Sequence, residues 1–364
     1  MLTDLDFQLI NALQIDPRAP WTTLAPILNV APSTLSRRWK ELQESGLAWT
    51  SVLVGELEPG VGPATAVAFV EVACASGTRE AIADVLVAIP WIASIDYTSG
   101  GRELFLTVMM ESIMALDKAV AREVVPVAGV TATRTHFVRT LFQEGSSSHL
   151  SVLPPMKADA IRAERDSVQG PLVLRPDDEL VALVCELQAD VRRPGVELAA
   201  TLRFSVAKVR RLLNVLERAP WCLMRTDFAN PYLDFSAYIY LWFTVAHDQL
   251  SSIVAGLRLL PQVRLIATVV GPSNLLISVW LPRLHELDSL ELRLVRAFPG
   301  LKVDDRWLVS LSRKRIGHML DQDGLHLGCV PTPVLGGAVP RSSPVQSRSG
   351  YVEARTGAGQ RHSL

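Results

Sequence analysis

Cysteine is scarce in this 364-residue chain: Cys74, Cys185, Cys222 and Cys329 stand far apart, with no C-x-x-C pair. That spacing argues against a zinc ribbon or a disulfide framework and predicts reduced thiols in a cytosol. An excess of charge of either sign is also missing. With 36 Lys and Arg against 37 Asp and Glu, no bulk field draws nucleic acid or a membrane, and any basic site must be a local patch. The longest uncharged run, Leu265–Pro282, is split by Gly271-Pro272-Ser273-Asn274 into two strand-length halves, so no membrane span is expected. The opening MLTDLDFQLI has no basic n-region and no apolar h-region, so no signal peptide is expected and the placement read is cytoplasmic. Catalytic signatures are absent: there is no H-E-x-x-H, no G-x-S-x-G and no phosphate loop. His318, His326 and Cys329 form a loose cluster of irregular spacing that reads as accidental. No enzyme, metal or cofactor is expected.

What is present is a chain 49% hydrophobic and 20% charged, which excludes disorder over most of its length, and a repeat of very long period. Residues 4–50 match 178–224 at a constant offset: Leu9 and Leu13 fall on Leu183 and Leu187, Asp16 and Arg18 on Asp190 and Arg192, Leu28 on Leu202 and Leu42 on Leu216. Further on, Gly100, Leu104 and Val108 meet Gly271, Leu275 and Val279 with a small drift. A period this long is a duplicated pair of domains, because each copy is large enough to own a core.

Each copy opens with three helices, the last two joined by a tight turn, which is a helix-turn-helix. The remainder alternates strand and helix in the order βαββαβ, two helices covering one face of an antiparallel sheet. Apolar residues at Ala66, Ala68 and Val70, and at Tyr238, Tyr240 and Trp242, imply that the other sheet face is buried too. The fold class is α+β. The divisions are helix-turn-helix domains at 1–60 and 175–232, βαββαβ domains at 61–144 and 233–316, a linker at 145–174 with a short helix near 156–167, and a tail at 317–364 expected to be largely disordered.

On the third helix, Leu35, Trp39 and Leu42 share a core face, while Ser33, Arg37 and Lys40 face away and Ser36 and Arg38 flank them. Short hydroxyls and cations projecting together suit a helix laid in a major groove, with Arg37 and Lys40 reaching bases or phosphates and Ser33, Thr34 and Ser36 binding phosphate oxygens. A merely solvated face reads the same way on a wheel. In the second copy Lys208, Arg210 and Arg211 keep the charge, but Ala207 and Leu212 replace Ser33 and Arg38. The glycines at Gly100 and Gly271 mark hairpins that call for positive φ.

The stretches TDLDFQLINALQID and LAPILNVAPSTLSRRWKELQESGLA, with Leu35, Arg37, Arg38, Trp39, Leu42 and Gly46 in an L-x-R-R-h-x-x-L-x-x-x-G pattern, resemble the leucine-responsive regulator/AsnC (Lrp/AsnC) family of transcription regulators. The turn Ser99-Gly100-Gly101-Arg102-Glu103-Leu104 resembles the family's T-G-x-x-D-L. The resemblance covers 2–144 and 176–316. It implies winged helix-turn-helix domains alternating with ferredoxin-like sensing domains of the dimeric α/β-barrel type, double-stranded DNA as partner, and a small-molecule effector such as an amino acid. It places that effector near the turns, with Gly100, Glu103, Gly271 and Asn274 as candidates, although Glu103 also reads as an exposed strand-end charge. Family members usually carry one unit per chain; two units predict an intrachain pseudo-dimer of sensing domains, open to further homo-oligomerisation. The competing reading is a small-molecule-binding or metabolic accessory protein whose helix-turn-helix units no longer touch DNA.

Overall fold

The computed structural model describes residues 2–55, 65–145, 150, 152–166, 177–229 and 237–334. Helix α1 (Asp4–Ile15) begins at a capping box in which the Thr3 hydroxyl accepts from the Asp6 N–H and the Asp6 carboxylate accepts from the Thr3 N–H at 2.7 Å. Leu9, Ile10 and Leu13 of α1 pack with Leu24 and Leu28 of α2 (Trp21–Leu28) and with Leu35, Trp39 and Leu42 of α3 (Pro32–Glu44). Strand β1 (Ala48–Val54) follows, then β2 (Ala66–Cys74), α4 (Arg79–Leu86), β3 (Ile92–Thr98), β4 (Leu104–Met110), α5 (Ile113–Ala119, continued by a wider turn) and β5 (Val130–Gln143). Helix α6 (Pro155–Asp166) lies where the linker was expected to hold a short helix, and its Ala158 and Ile161 enter the core of the first helical unit.

The element order then recurs as α7 (Asp178–Leu187), α8 (Gly195–Leu202), α9 (Val206–Leu216), β6 (Cys222–Phe228), β7 (Ala237–Thr244), α10 (Leu250–Leu257), β8 (Val263–Val269), β9 (Leu275–Leu281), α11 (Glu286–Ala297) and β10 (Lys302–Arg315). The turn between the last two helices of each unit puts equivalent residues, Asn29 and Arg203, in the left-handed region at φ 60° and 56°. Asn tolerates that conformation; Arg holds it at some cost in strain.

Strands of both repeats make one sheet in the order β10-β3-β4-β2-β5-β8-β9-β7, and β7 pairs back onto β10, closing an eight-stranded barrel. Alternation along each strand divides the apolar residues. In β7, Ile239, Leu241 and Phe243 face the outer helices α10 and α11, while Tyr240 and Trp242 point inward to meet Phe69, Phe105 and Trp307. The sequence reading of β2 is corrected by this: Ala68 and Val70 belong to the helix-facing cluster, and Phe69 is the inward residue.

Two further corrections concern the helical units. A winged motif in each unit was expected. Instead the single strands β1 and β6 pair with each other, Thr50 opposite Thr226, in one ribbon. Each strand packs on the other unit: Phe228 of β6 joins the core of the first and Val52 and Val54 of β1 the core of the second, while Thr226 Oγ1 donates to Leu13 O and Thr50 Oγ1 to Asp190, at 2.8 and 2.7 Å. The ordered chain also runs beyond 317. Strands β11 (His318–Leu320) and β12 (His326–Cys329) extend β10, and Val334 is buried in the core of the second helical unit. Gly46 makes this possible: a Cβ there would come within 2.8 Å of His326 O. Residues 335–364 of the expected tail, and much of the 145–174 linker, lie outside the described residues.

Candidate nucleic-acid interface and ligand cavity

Because Leu35, Trp39 and Leu42 anchor α3, the opposite face is set outward: Ser33, Ser36, Arg37 and Lys40 are exposed and Thr34 is half-buried. Among the described residues Arg37 reaches only Glu41, at 2.8 Å, and Lys40 lies 3.8 Å from Glu44. Both pairs sit in solvent and can exchange for a phosphate at little cost. Arg38 is different and corrects the sequence assignment. Its guanidinium straddles the Asp6 carboxylate at 3.0 and 2.6 Å and bonds Glu41 at 2.6 Å, so it closes α3 onto α1 inside the protein. Burial alone would raise the Asp6 carboxyl, but the bonds from Arg38 and Thr3 outweigh it and hold the group below its usual range.

In the second unit Arg210 and Arg211 are exposed on α9. Lys208 is turned back: its ammonium pairs with Glu179 and lies 4.3 Å from the Phe204 ring centre. Helix α6 packs on α1 and α2 and leaves the outer face of α3 uncovered. The two units touch through equivalent arginines: Arg192 donates to Pro17 O and Ala19 O at 2.8 and 3.0 Å and stacks 3.8 Å over Trp21, while Arg18 bonds Glu217 and Val191 O.

At the hairpins, Gly100 has φ +99° as expected, whereas Gly271 does not take a positive φ. Glu103 and Asn274 are committed locally. The Glu103 carboxylate accepts from Cys74 N–H at 2.6 Å, and the Asn274 amide both accepts from and donates to the Val245 backbone, at 2.9 and 2.8 Å. None of these turn residues lines the cavity described next.

Under the ribbon, strands of both repeats enclose a cavity of about 310 Å³. Its apolar walls include Phe69, Met109, Leu265 and Trp280. Its polar side is dense with charge. Arg225 of β6 is buried, holds Asp227 at 2.7 and 2.9 Å and reaches Glu144 at the end of β5 at 2.8 Å. Asp96 accepts from Tyr240 and Ser312 hydroxyls at 2.7 and 2.5 Å, while burial pushes its carboxyl up. Lys314 is buried and donates to Ile89 O at 2.8 Å; the loss of solvent lowers its pKa to about 7.

Arg264 is the odd member. The register of β8 against β9 slips between Val263 and Leu265, so Arg264 is the bulged residue, and a bulge re-aims a side chain. Its guanidinium lies 4.0 Å from the Trp280 ring centre, only 9% of the residue is exposed, and its Nε has no hydrogen-bond partner among the described residues. Burial and the like charge of Arg225 lower its pKa to about 9. Sequence reasoning passed over Arg225, Arg264 and Glu144. A signal existed for one of them: Arg264 is the single charge in VRLIATVV, a strand otherwise suited to a core.

Residues 2–43 match the AsnC-type helix-turn-helix domain and residues 67–145 the Lrp/AsnC ligand binding domain. The HTH-type transcriptional regulator FL11 of Pyrococcus furiosus is 26% identical over 144 residues, 40% of this chain and 93% of that protein. The regulatory protein AsnC of Haemophilus influenzae is 24% identical over 136 residues, 37% of this chain and 89% of its own. Among solved structures, the siroheme decarboxylase NirDL superposes with a TM-score of 0.54 at 13% identity, covering 86% of this chain and 93% of that one, a likeness of fold.

Proposed function

The chain belongs, through its first 145 residues, to the Lrp/AsnC family, and on that premise we propose that it is a sequence-specific DNA-binding transcriptional regulator responding to a small metabolite. The observation that carries this reading is the outward set Ser33, Ser36, Arg37 and Lys40 on α3, repeated as Arg210 and Arg211 on α9, on two units that share one ribbon. A solvated surface has no need for two basic helices fixed to a common support; a two-part operator does. In this reading the repeats act as an intrachain pseudo-dimer, supported by β5 pairing with β8 and β10 with β3. The turns at Gly100–Glu103 and Gly271–Asn274 would contribute to an effector site through their backbone, since Glu103 and Asn274 are spent on local bonds. The test is to sequence the genomic DNA that the full chain retains at moderate salt. Enrichment of a common motif, lost in Arg37→Ala, is expected; retention of random fragments only would refute sequence specificity.

A second reading takes support from a fold shared with NirDL over most of the chain. In it the chain acts on a tetrapyrrole carboxylate and the helical units are scaffolding. Release of carbon dioxide from siroheme by the full chain, with no motif in the retained DNA, would favour it over the first.

A further inference from the structure

Among the described residues, one cation at the cavity wall stands apart from the ion pairs. Arg225 faces two carboxylates, Asp227 and Glu144. Arg315 leans on Phe228 O and Ser312 Oγ, each at 3.4 Å. Arg264 has no hydrogen bond to any described residue, although it is nine-tenths buried and lines the cavity. A buried cation left without a hydrogen-bonded anion is costly, so a fold that keeps one at a cavity wall holds it for something that enters. Around it the surfaces are flat and unsaturated: Trp280 lies under the guanidinium, and Phe69, Tyr238 and Tyr240 line the same space. The buried Arg264 guanidinium beside aromatic walls, in a cavity of about 310 Å³, fits a compact flat body with a negative group.

We propose that the cavity under the ribbon binds a compact aromatic monocarboxylate, its carboxylate on the Arg264 guanidinium and its ring against Trp280 and Phe69. The site is single in each chain. The equivalent bulge of the first repeat, between Ile92 and Ser94, carries Ala93, and Met109 stands where Trp280 stands in the second, so the duplicated frame keeps the cation and the indole on one side only. Arg139, exposed at the rim, adds a second cation along the approach.

The full-length chain is titrated calorimetrically and by tryptophan fluorescence with benzoate, phenylacetate and indole-3-acetate, and with the matching amides. The expected result is one acid bound per chain, at least tenfold tighter than its amide, with that preference lost in Arg264→Met and partly kept in Arg264→Lys. Arg264→Met should also melt no lower than the parent, because it removes an unpaired charge. Equal binding of acid and amide, no binding of any acid at millimolar concentration, or an Arg264→Met protein that melts several degrees lower or does not fold would overturn the proposal. The comparison of acid with amide is made on the unaltered chain and needs no DNA, so its failure is told apart from failure of the regulator reading.

Discussion

Two arginines on one helix have opposite energetics. Arg38 is held by Asp6, which is fully buried, so Arg38→Ala leaves a carboxylate in the core with only Thr3 to bond it. Breaking such a pair destabilises by several kcal/mol when both partners are buried; with Arg38 itself 27% exposed, a loss of about 2 kcal/mol in urea denaturation is expected. Arg37 is 66% exposed on its side chain, and Arg37→Ala should leave stability within about 0.5 kcal/mol while reducing the ratio of specific to random-DNA affinity by about 1–3 kcal/mol. A salt titration on both kinds of DNA measures that ratio. If Arg38→Ala is neutral and Arg37→Ala unfolds the chain, the assignment is reversed.

His318 gives a pH signature at the same scale. Its Nε2 lies 2.9 Å from Gln188 O, so it carries the proton, and Nδ1 accepts from His326 at 2.9 Å. Burial, then the neighbouring His326, lowers its pKa to about 3. The unfolded chain, with an ordinary value near 6.5, binds the proton more readily, so stability is unaffected above about pH 6.5 and falls as pH drops from there toward 3. His318→Gln should flatten that part of the stability curve. An unchanged slope would show that other groups govern it.

Among the secondary elements, those with local signals were legible and those built from distant partners were not. Thr3 and Asp6 mark the start of α1, and Pro32 and Gly46 bracket α3, all within a few residues. The β1–β6 ribbon has no such mark: Thr50 meets Thr226, and nothing in AWTSVLV says that its partner is the other copy and not a second strand of its own wing. Strands β11 and β12 are three and four residues long, too short for an alternation to show. They stand because β10 offers an edge and because Gly46 lets His326 donate to its carbonyl at 2.9 Å. The expectation of a largely disordered tail from 317 is therefore replaced as far as Val334. Gln188 Nε2 donates to Thr332 O at 2.9 Å, as the equivalent Gln14 accepts from Leu150 N–H at 2.7 Å, and Val334 is 4% exposed. Ending the chain at Pro331 should cost about 2 kcal/mol, and ending it at Val334 should keep these contacts. Equal melting temperatures for the two truncations would refute the role of Val334.

At the scale of the whole molecule, the swapped strands mean that neither half is complete. Cleavage between 152 and 176 separates two halves covalently, yet Phe228 remains in the core of the first helical unit and Val52 and Val54 in the second, and the barrel still needs strands from both. The halves should co-elute in gel filtration at micromolar concentration; well-folded separate monomers would refute the arrangement. The same connection gives a route from cavity to DNA. Arg225 belongs to the ribbon, lines the cavity and grips Glu144 of the barrel, so a carboxylate brought to Arg264 competes with Glu144 and Asp227 for the neighbouring positive field. If DNA binding sets the ribbon's position, an acid that binds the cavity should change operator affinity by roughly 5–150-fold, the usual range of a coupling free energy. Reciprocity sharpens the test, since operator DNA must change the acid's affinity by the same factor and in the same sense. Arg225→Gln should reduce both factors together while the acid still prefers Arg264. An acid that binds one per chain and leaves operator affinity within twofold would show the ribbon to be a rigid brace, and the cavity would then serve a purpose other than regulation.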